Sequence, residues 1–582
     1  MSSTNYLQKL SDEQYNAIVK EGNVLLTAIP GSGKTRTLTN KVLYEFDELE
    51  YRKIIAITYT NRAAEEMEER IIGQLGYVPG NIWIGTIHKF CLEFILRKYS
   101  SQSQFLSKPF TILGEEDDDH LKKELKEKYK IDKYANIDYT LSTNGTPNEK
   151  LYYDYVDEYY SIQRKTRKIN FDLILYEAFK LLQSNKNIAL NISAQIKYLC
   201  VDEYQDTQEL QYQILAIIYK ETKGFNIFFV GDPNQAIYAG LGGIVKTKNE
   251  LELIFEGIFS EMILTKCYRS NQQIIDFYSR FAIKKIEMLS CNGNYKKPTV
   301  YINASISKDD LIDEISIIIS QNIDEGIPEK EICIIAPQWT FLYNISNKLR
   351  TQLPNLKFDA PNIIPLKKDE ENICYKLSKI LLTNYSFYNK NRVIRIIREV
   401  KKQLIEEYGI NLELSEQELL KILFASKTDD SVGTSYLKNS LCHFFKKIGM
   451  EELFQDKVID YINESSEKIK LYEKYGIEDD KLAFEKSLRS KDGIVVSTIH
   501  GIKGDEFRTV IAFGLLEGYV PHWDSIINKG TAREDSNKLL FVLCSRAKEK
   551  LYLFSETGRT TNKGAPYHIN EDIKKTIIDL QK

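Results

Sequence analysis

The sequence predicts an α/β protein whose parallel sheets present ligands at the C-terminal ends of their strands. Three observations carry this prediction. Short apolar runs alternate with helical stretches, the pattern that builds parallel sheets with crossover helices. The run Val24-Leu25-Leu26-Thr27 leads into a glycine turn, Ala28-Ile29-Pro30-Gly31-Ser32-Gly33-Lys34-Thr35, and then a helix from Arg36. Later apolar runs end in polar tips, among them Asp202-Glu203 and Gly231-Asp232.

The glycine turn comes first because the rest is organised around it. Consecutive N–H groups in such a loop, with the partial positive charge of a helix N-terminus, can wrap a polyphosphate. Gly31 and Gly33 allow close backbone approach, Lys34 would reach the β/γ-phosphates, and the Thr35 hydroxyl would sit on Mg²⁺. Ala28 stands where the strict pattern has glycine, so the loop is a slight variant. Upstream, Ser11 with Gln14 three residues later reads as a capping box. Gln14 either only starts that helix or also reads an adenine edge.

After the loop helix, Ile54-Ile55-Ala56-Ile57 reads as a second buried strand, ending near Tyr59, Asn61 and Arg62. Tyr59 is either core or a stacking surface for a nucleobase. Residues 82–90 repeat the arrangement, and the cluster of Thr86, His88 and Lys89 favours phosphate or base contacts over a purely structural role. From about 100 to 168 the chain turns helical and highly charged, an inserted subdomain whose acidic run 115–119 reads as solvated surface and whose basic run 164–168 either is solvated, the favoured reading, or lines a nucleic-acid path. The run 198–201 then ends in two carboxylates. Beside a phosphate loop, Asp202 would hold Mg²⁺ through water and Glu203 would orient or deprotonate the attacking water. The run 227–230 brings Gln235 to the same edge, placed to sense a γ-phosphate.

Composition bounds the rest. At 582 residues the chain exceeds a single hydrophobic core, and roughly three or four domains are expected. Hydrophobic residues at 43% and charged residues at 28% leave little room for long disordered tails. A net charge of −3 means that a nucleic-acid partner needs a local basic groove. The eight cysteines form no C-x-x-C pair, so zinc and iron–sulfur centres are not expected and free thiols are. No run approaches the roughly 18 apolar residues of a membrane helix, and the polar start is not a signal peptide, so a soluble cytoplasmic protein without membrane contact is expected.

In order and wording, residues 28–35, 58–64, 85–88, 201–207 and 230–238 resemble the UvrD/Rep/PcrA group of superfamily 1A helicases. Downstream, 264–270 (with Tyr268-Arg269), 495–507 (with His500-Gly501-Ile502-Lys503-Gly504-Asp505-Glu506) and 539–553 (with Ser545-Arg546-Ala547) resemble the later motifs of that group. The resemblance implies two RecA-like P-loop NTPase domains, each with a helical insertion and ATP between them. The first domain would take 1–99 and 169–257 with its insertion at 100–168. The second would take 258–365 and 490–582, including a C-terminal helix, with a reduced accessory domain at 366–489. Catalysis would fall to Lys34, Asp202, Glu203, Gln235, Arg269 and Arg546, the last as an arginine finger. ATP would be held by Ala28, Gly31, Ser32, Gly33, Lys34 and Thr35, with adenine between Arg36 and Tyr268, Gln14 on its edge, and Gly504 and Glu506 towards the ribose. Single-stranded DNA would pass Tyr59, Asn61, Thr86, His88 and His500, and move 3′ to 5′ as in this family.

The chain also departs from its relatives. After Tyr238 they carry an aromatic residue and an arginine, where this chain has Gly240 and Leu241. A stacking platform of roughly 1–3 kcal/mol per base is missing there. The accessory region is short and shows no glycine-turn signature for holding duplex, and the C-terminal stretch leaves no room for an appended nuclease domain. The leading expectation is a DNA-dependent ATPase and helicase acting on single strands, DNA ends or tailed duplexes. The alternative is a DNA-gated ATPase switch or sensor subunit regulating a partner nuclease, for example an OLD-type nuclease in phage defence.

Overall fold

The computed structural model describes residues 10–581 apart from 104, 133–134, 136, 239–241, 294–298, 360–365, 367–368, 370–371, 384–389, 473–478, 489–492, 524 and 562. These form two compact units. One lies within Met1–Leu113, His120–Leu311 and Ile499–Lys582, the other within Gly114–Asp119 and Ile312–Thr498.

A six-stranded, all-parallel sheet organises the first unit. Its strands are β1 (Asn23–Ala28), β2 (Lys53–Thr58), β3 (Ile82–Thr86), β4 (Ile196–Val201), β5 (Asn226–Gly231) and β6 (Phe259–Leu264), in the order β3-β2-β4-β5-β1-β6. The strands read as continuous apolar runs because both faces of the sheet are covered. Their alternation still shows in the packing. Val24, Leu26, Ala56, Cys200, Phe228 and Val230 enter one core, while Leu25, Ile55, Ile57, Leu199, Ile227 and Phe229 enter another on the opposite face.

Two of the helices on the nucleotide side begin where short polar residues cap them. α1 (Asp12–Val19) starts with the predicted capping box: Ser11 Oγ accepts from the Gln14 N–H and Gln14 Oε1 accepts from the Ser11 N–H at 3.1 Å. α2 (Lys34–Glu45) starts at Gly33, and α3 (Asn61–Leu75) at Thr60, whose hydroxyl accepts from the Ala63 N–H at 3.1 Å. The expected boundary between 257 and 258 falls one strand early. Phe259–Leu264 pairs with β1 along its whole length and forms an edge of this first sheet.

Further strands include β7 (Val300–Asn303), β8 (Ile332–Ala336), β9 (Phe358–Asp359), β10 (Ile494–Thr498), β11 (Phe507–Ala512) and β12 (Ala547–Phe554). Within the first unit β12 lies between β7 and β11, parallel to both. Within the second unit β10 lies between β8 and β9, again in parallel. The parallel α/β character read from the sequence is therefore present throughout.

Of the stretches read as helical insertions, the first carries two long helices among turns and bends and the second is largely helical. The first contains Glu115–Lys128 and Tyr153–Thr166, with a tyrosine network in which the Tyr139 and Tyr155 hydroxyls meet at 2.6 Å. In the second unit, Ile373–Leu381, Lys390–Tyr408, Glu416–Phe424, Gly433–Lys447 and Glu451–Tyr472 share a core that includes Leu377, Val393, Ile397, Leu441, Phe445 and Phe454. Among the described residues no helix is long and apolar enough to cross a membrane.

Candidate nucleotide and strand site

The sheet order brings the ends of β4, β5 and β1 together, and with them a connected set of polar groups. The loop after β1 turns through left-handed backbone at Gly31 (φ 71°) and Gly33 (φ 83°). Space as well as backbone demands glycine here. A Cβ on Gly31 would stand 2.5 Å from Arg269 Cβ, and one on Gly33 2.7 Å from Gln14 Nε2. The loop is braced by Ser32 Oγ donating to the Ile29 carbonyl at 2.7 Å, by the Tyr268 N–H on the Gly31 carbonyl at 2.9 Å, and by Gln14 Nε2 on the Ser32 carbonyl at 2.8 Å. Gln14 therefore anchors the loop to α1. Ala28 is the buried last residue of β1.

Lys34 Nζ faces Glu203, 3.4 Å from Oε1. Glu203 sits at φ 50°, a left-handed conformation strained for a residue with a Cβ. Gln205 holds its carboxylate by donating from Nε2, and the same amide's Oε1 accepts from the Asp232 N–H at 3.0 Å. Only glycine fits at 231, because a Cβ there would overlap Gln205 Oε1. Asp202 is buried, and its Oδ1 accepts from the Glu203 N–H at 3.0 Å. Burial and the neighbouring Glu203 charge push the Asp202 carboxyl well above the usual carboxylate range. Glu203 goes the other way: burial opposes its charge, but Lys34, Lys503 and Gln205 together hold it low. Two adjacent carboxylates, one of them short of compensating positive charge, suit a hard divalent cation, and the Thr35 hydroxyl at the start of α2 is a donor of matching chemistry.

The arginines complete this side. Arg546 is 1% exposed. Its Nε donates to the Val542 carbonyl at 2.9 Å and its Nη2 to Gln235 Oε1 at 2.7 Å, while Gln235 Nε2 donates to Asp232 Oδ2 at 2.7 Å. Burial, reinforced by the Arg269 charge, lowers Arg546 to about 9. Arg269 donates from Nε to Glu506 at 2.7 Å and from Nη1 to the Ser545 carbonyl at 3.0 Å, and Lys548 approaches Glu506 at 3.3 Å. Thus Arg269 and Glu506, expected at opposite ends of a nucleotide, are joined to each other. Tyr268 is half-exposed, and Gly504 turns at φ 91° beside them. Arg36 is exposed on the first turn of α2, bordering a cavity of about 270 Å³ with Thr39, Asn40, Arg70 and Gln74.

The other half of the edge, after β2 and β3, is built differently. Tyr59 stacks on Tyr238 with ring centroids 4.9 Å apart, and Tyr238 lies 5.8 Å from the His500 ring. Asn61 is exposed at the start of α3. The Thr58↔Thr86 register sets Thr86 beside this group, but its hydroxyl is used as a helix cap for the Lys89 N–H. His88 does not join the ring cluster. Its ring packs edge-on against Phe171 at 5.0 Å, and burial lowers it to about 4, so it is neutral near pH 7 and supplies no cation for a phosphate. The departure at Gly240 and Leu241 lies outside the described residues.

Sequence reasoning passed over Gln205, Asp206, Asp232, Tyr238 and Lys503. All five stand inside quoted motifs, and a polar residue flanking a strand tip is the available signal for Gln205, Asp206 and Asp232.

A phosphate-type loop between β1 and α2, with carboxylates on the neighbouring strand ends, defines the class: a P-loop nucleotide-binding α/β protein. Residues 10–253 match the UvrD/REP helicase N-terminal domain, and 369–557 match the UvrD-like helicase C-terminal domain. The chain belongs to the UvrD-like helicase family. It is 25% identical to a probable DNA helicase II homolog of Mycoplasma capricolum, over 95% of this chain and 85% of that protein. It is also 25% identical to the ATP-dependent DNA helicase PcrA of Bacillus subtilis (96% and 84%) and to the ATP-dependent DNA helicase Rep of Buchnera aphidicola (93% and 94%).

Proposed function

We propose that the protein is a DNA-dependent ATPase that moves 3′ to 5′ along single-stranded DNA and unwinds tailed duplexes, using ATP and Mg²⁺. The observation that carries this reading is the continuous network from the loop after β1, through Glu203, Gln205, Asp232 and Gln235, to the buried Arg546. Phosphoryl transfer needs little covalent chemistry from the protein; it needs positioning and stabilisation of developing charge.

Lys34 and the loop amides bind the phosphates. A polyphosphate competes with Glu203 for Lys34, so substrate binding frees the Glu203 carboxylate to orient the attacking water. Glu203 is held ionised and Gln205 fixes its direction, as a group accepting a proton from water requires. Thr35 and Asp202 would hold Mg²⁺, which would supply positive charge against the negative charge developing on the phosphates. Arg546 and Arg269 supply the remaining positive charge, and Gln235 aims Arg546. On the strand side, Tyr59, Tyr238 and His500 offer ring faces on which bases stack without regard to sequence.

The test is ATP turnover with and without single-stranded DNA, alongside displacement of one strand from 3′-tailed and 5′-tailed duplexes. Stimulated turnover with displacement only from the 3′ tail is expected. Turnover indifferent to DNA, or displacement only from the 5′ tail, would overturn the reading.

A further inference from the structure

The short helix α1 is gripped at both ends, and one of its anchors has no part in the chemistry above. α1 has eight residues, too few to persist alone, so its place is set by what holds it. At its far end the Lys41 ammonium, on α2, donates to the Ile18 carbonyl at 2.8 Å and to the Lys20 carbonyl at 3.1 Å, and is itself buried and paired with Glu45 at 2.8 Å. At its near end two consecutive side chains reach different partners. Gln14 holds the loop after β1 at the Ser32 carbonyl, whereas Glu13 holds Thr265, accepting from its N–H at 2.9 Å and from its hydroxyl at 2.6 Å.

Thr265 is the residue at which β6 gives way to the segment that carries Tyr268 and Arg269. One flank of that segment is tied to residues 289–292. The Leu289 N–H donates to the Thr265 carbonyl at 3.0 Å, the Cys291 N–H to the Cys267 carbonyl at 2.8 Å, and the Asn292 side-chain amide to the Arg269 carbonyl at 2.8 Å. The other flank meets the loop after β1 through the Tyr268 N–H on the Gly31 carbonyl, and meets α1 through Glu13. Hydrogen bonds to a carboxylate are shorter and stronger than neutral ones, so the Glu13 contact is a firm one. Neighbouring residues of one helix thus hold the loop and the segment facing it, and the helix backbone fixes the spacing between them.

We propose that Glu13 is a positioning residue for the base end of ATP: through Thr265 it holds the segment bearing Tyr268 at the distance from the loop after β1 at which the base is gripped. This rests on the functional reading above, with adenine between Arg36 and Tyr268. The phosphate end does not depend on Glu13, because the loop keeps its own braces at Ser32 and Ile29 and its bond from Gln14. Without the Glu13 carboxylate the Thr265 N–H and hydroxyl turn to water, and the start of the segment is no longer referred to α1. The grip on the base then weakens in the ground state and the transition state alike, so KM rises while kcat holds.

The test uses the full chain with a saturating poly-dT oligonucleotide. ATP turnover, its inhibition by inorganic tripolyphosphate, and the melting temperature are measured for wild type, Glu13→Ala, Glu13→Gln, Thr265→Val and the variant that combines Glu13→Ala with Thr265→Val. Expected for Glu13→Ala is a rise of about tenfold in the KM for ATP, with kcat and the tripolyphosphate inhibition constant within about threefold of wild type. Thr265→Val, which keeps the N–H, should raise KM by a smaller factor of about threefold, and Glu13→Gln, which keeps one acceptor oxygen, should fall between wild type and Glu13→Ala. Because the two side chains act through one contact, the combined variant should be no worse than Glu13→Ala. If Glu13→Ala does not fold, Glu13→Gln and Thr265→Val give the answer. A KM within about twofold of wild type in the folded variants overturns the proposal even if the melting temperature drops, since Glu13 would then only hold the fold together. Additive effects overturn it as well, and so does equal weakening of ATP and tripolyphosphate, which would mean that α1 acts through the loop. A wild-type chain without ATP turnover would overturn the functional reading itself.

Discussion

The two halves of the first sheet's C-terminal edge are made from the same kind of strand and finished in opposite ways. After β4, β5 and β1 the polar groups are buried or partly buried and each is held by a specific partner: Glu203 by Lys34 and Gln205, Asp232 by Gln235, Gln235 by Arg546. After β2 and β3 the groups are rings, half-exposed or packed on other rings, and the polar side chains cap helices. The difference matches the two ligands proposed. Phosphoryl transfer requires fixed donors around one reacting centre, whereas a strand passing through register after register requires surfaces that accept any base.

The comparison breaks most severely at Arg546. Arg546→Ala is expected to lower DNA-stimulated ATP turnover by about 10³–10⁵-fold, measured as phosphate release. Because this side chain is buried, a melting curve should accompany the assay. Glu203→Gln comes next, with a loss of about 10²–10⁴-fold and nucleotide binding retained by filter or fluorescence assay; near-normal turnover would remove Glu203 from the chemistry. On the strand side the effects should be smaller and should fall on affinity. Tyr238→Ala is expected to cost roughly 1–3 kcal/mol of oligonucleotide binding at matched salt, and a purely nucleotide-side defect would erase the distinction between the two halves.

The smallest effect concerns His88 and the pH. Its folded pKa, about 4, lies below its ordinary value, so the unfolded chain binds a proton that the folded chain refuses. Its contribution is full above roughly pH 6.5 and is lost as pH falls towards 4. His88→Gln should flatten the decline in melting temperature over that window, and an unchanged slope would show that His88 titrates freely.

Much of the nucleotide side was legible because its chemistry restricts residue choice: a glycine turn before Lys34-Thr35, paired carboxylates at 202–203, and arginines inside recognisable wording. What could not be read was partnership. Tyr59 was left open between core and stacking because its partner, Tyr238, is distant in sequence and arrives only when β2 and β5 enter one sheet. Gly31 and Gly33 were read as room for a phosphate, yet Arg269 and Gln14 are the groups that crowd them. Thr86 and His88 have partners that are hidden in the sequence for a related reason. Three adjacent polar residues at a strand end need not point together, and here one caps a helix while another packs under Phe171. The boundary at 257 was missed because an edge strand with the mixed burial of Phe259–Leu264 carries a weaker apolar signal than the central strands.

The burial of Arg546 has a consequence for timing. Stripping water from a guanidinium costs free energy, and the cost would recur if it had to be repeated at every turnover. Here the chain does it once, during folding, and keeps the bare cation aimed by Gln235 and the Val542 carbonyl, beside a second arginine that makes the region hungrier for negative charge. An anion reaching this corner therefore meets a solvent shell already replaced by oriented protein dipoles, and under the proposed function the reorganisation that water would have demanded would be absent from each turnover.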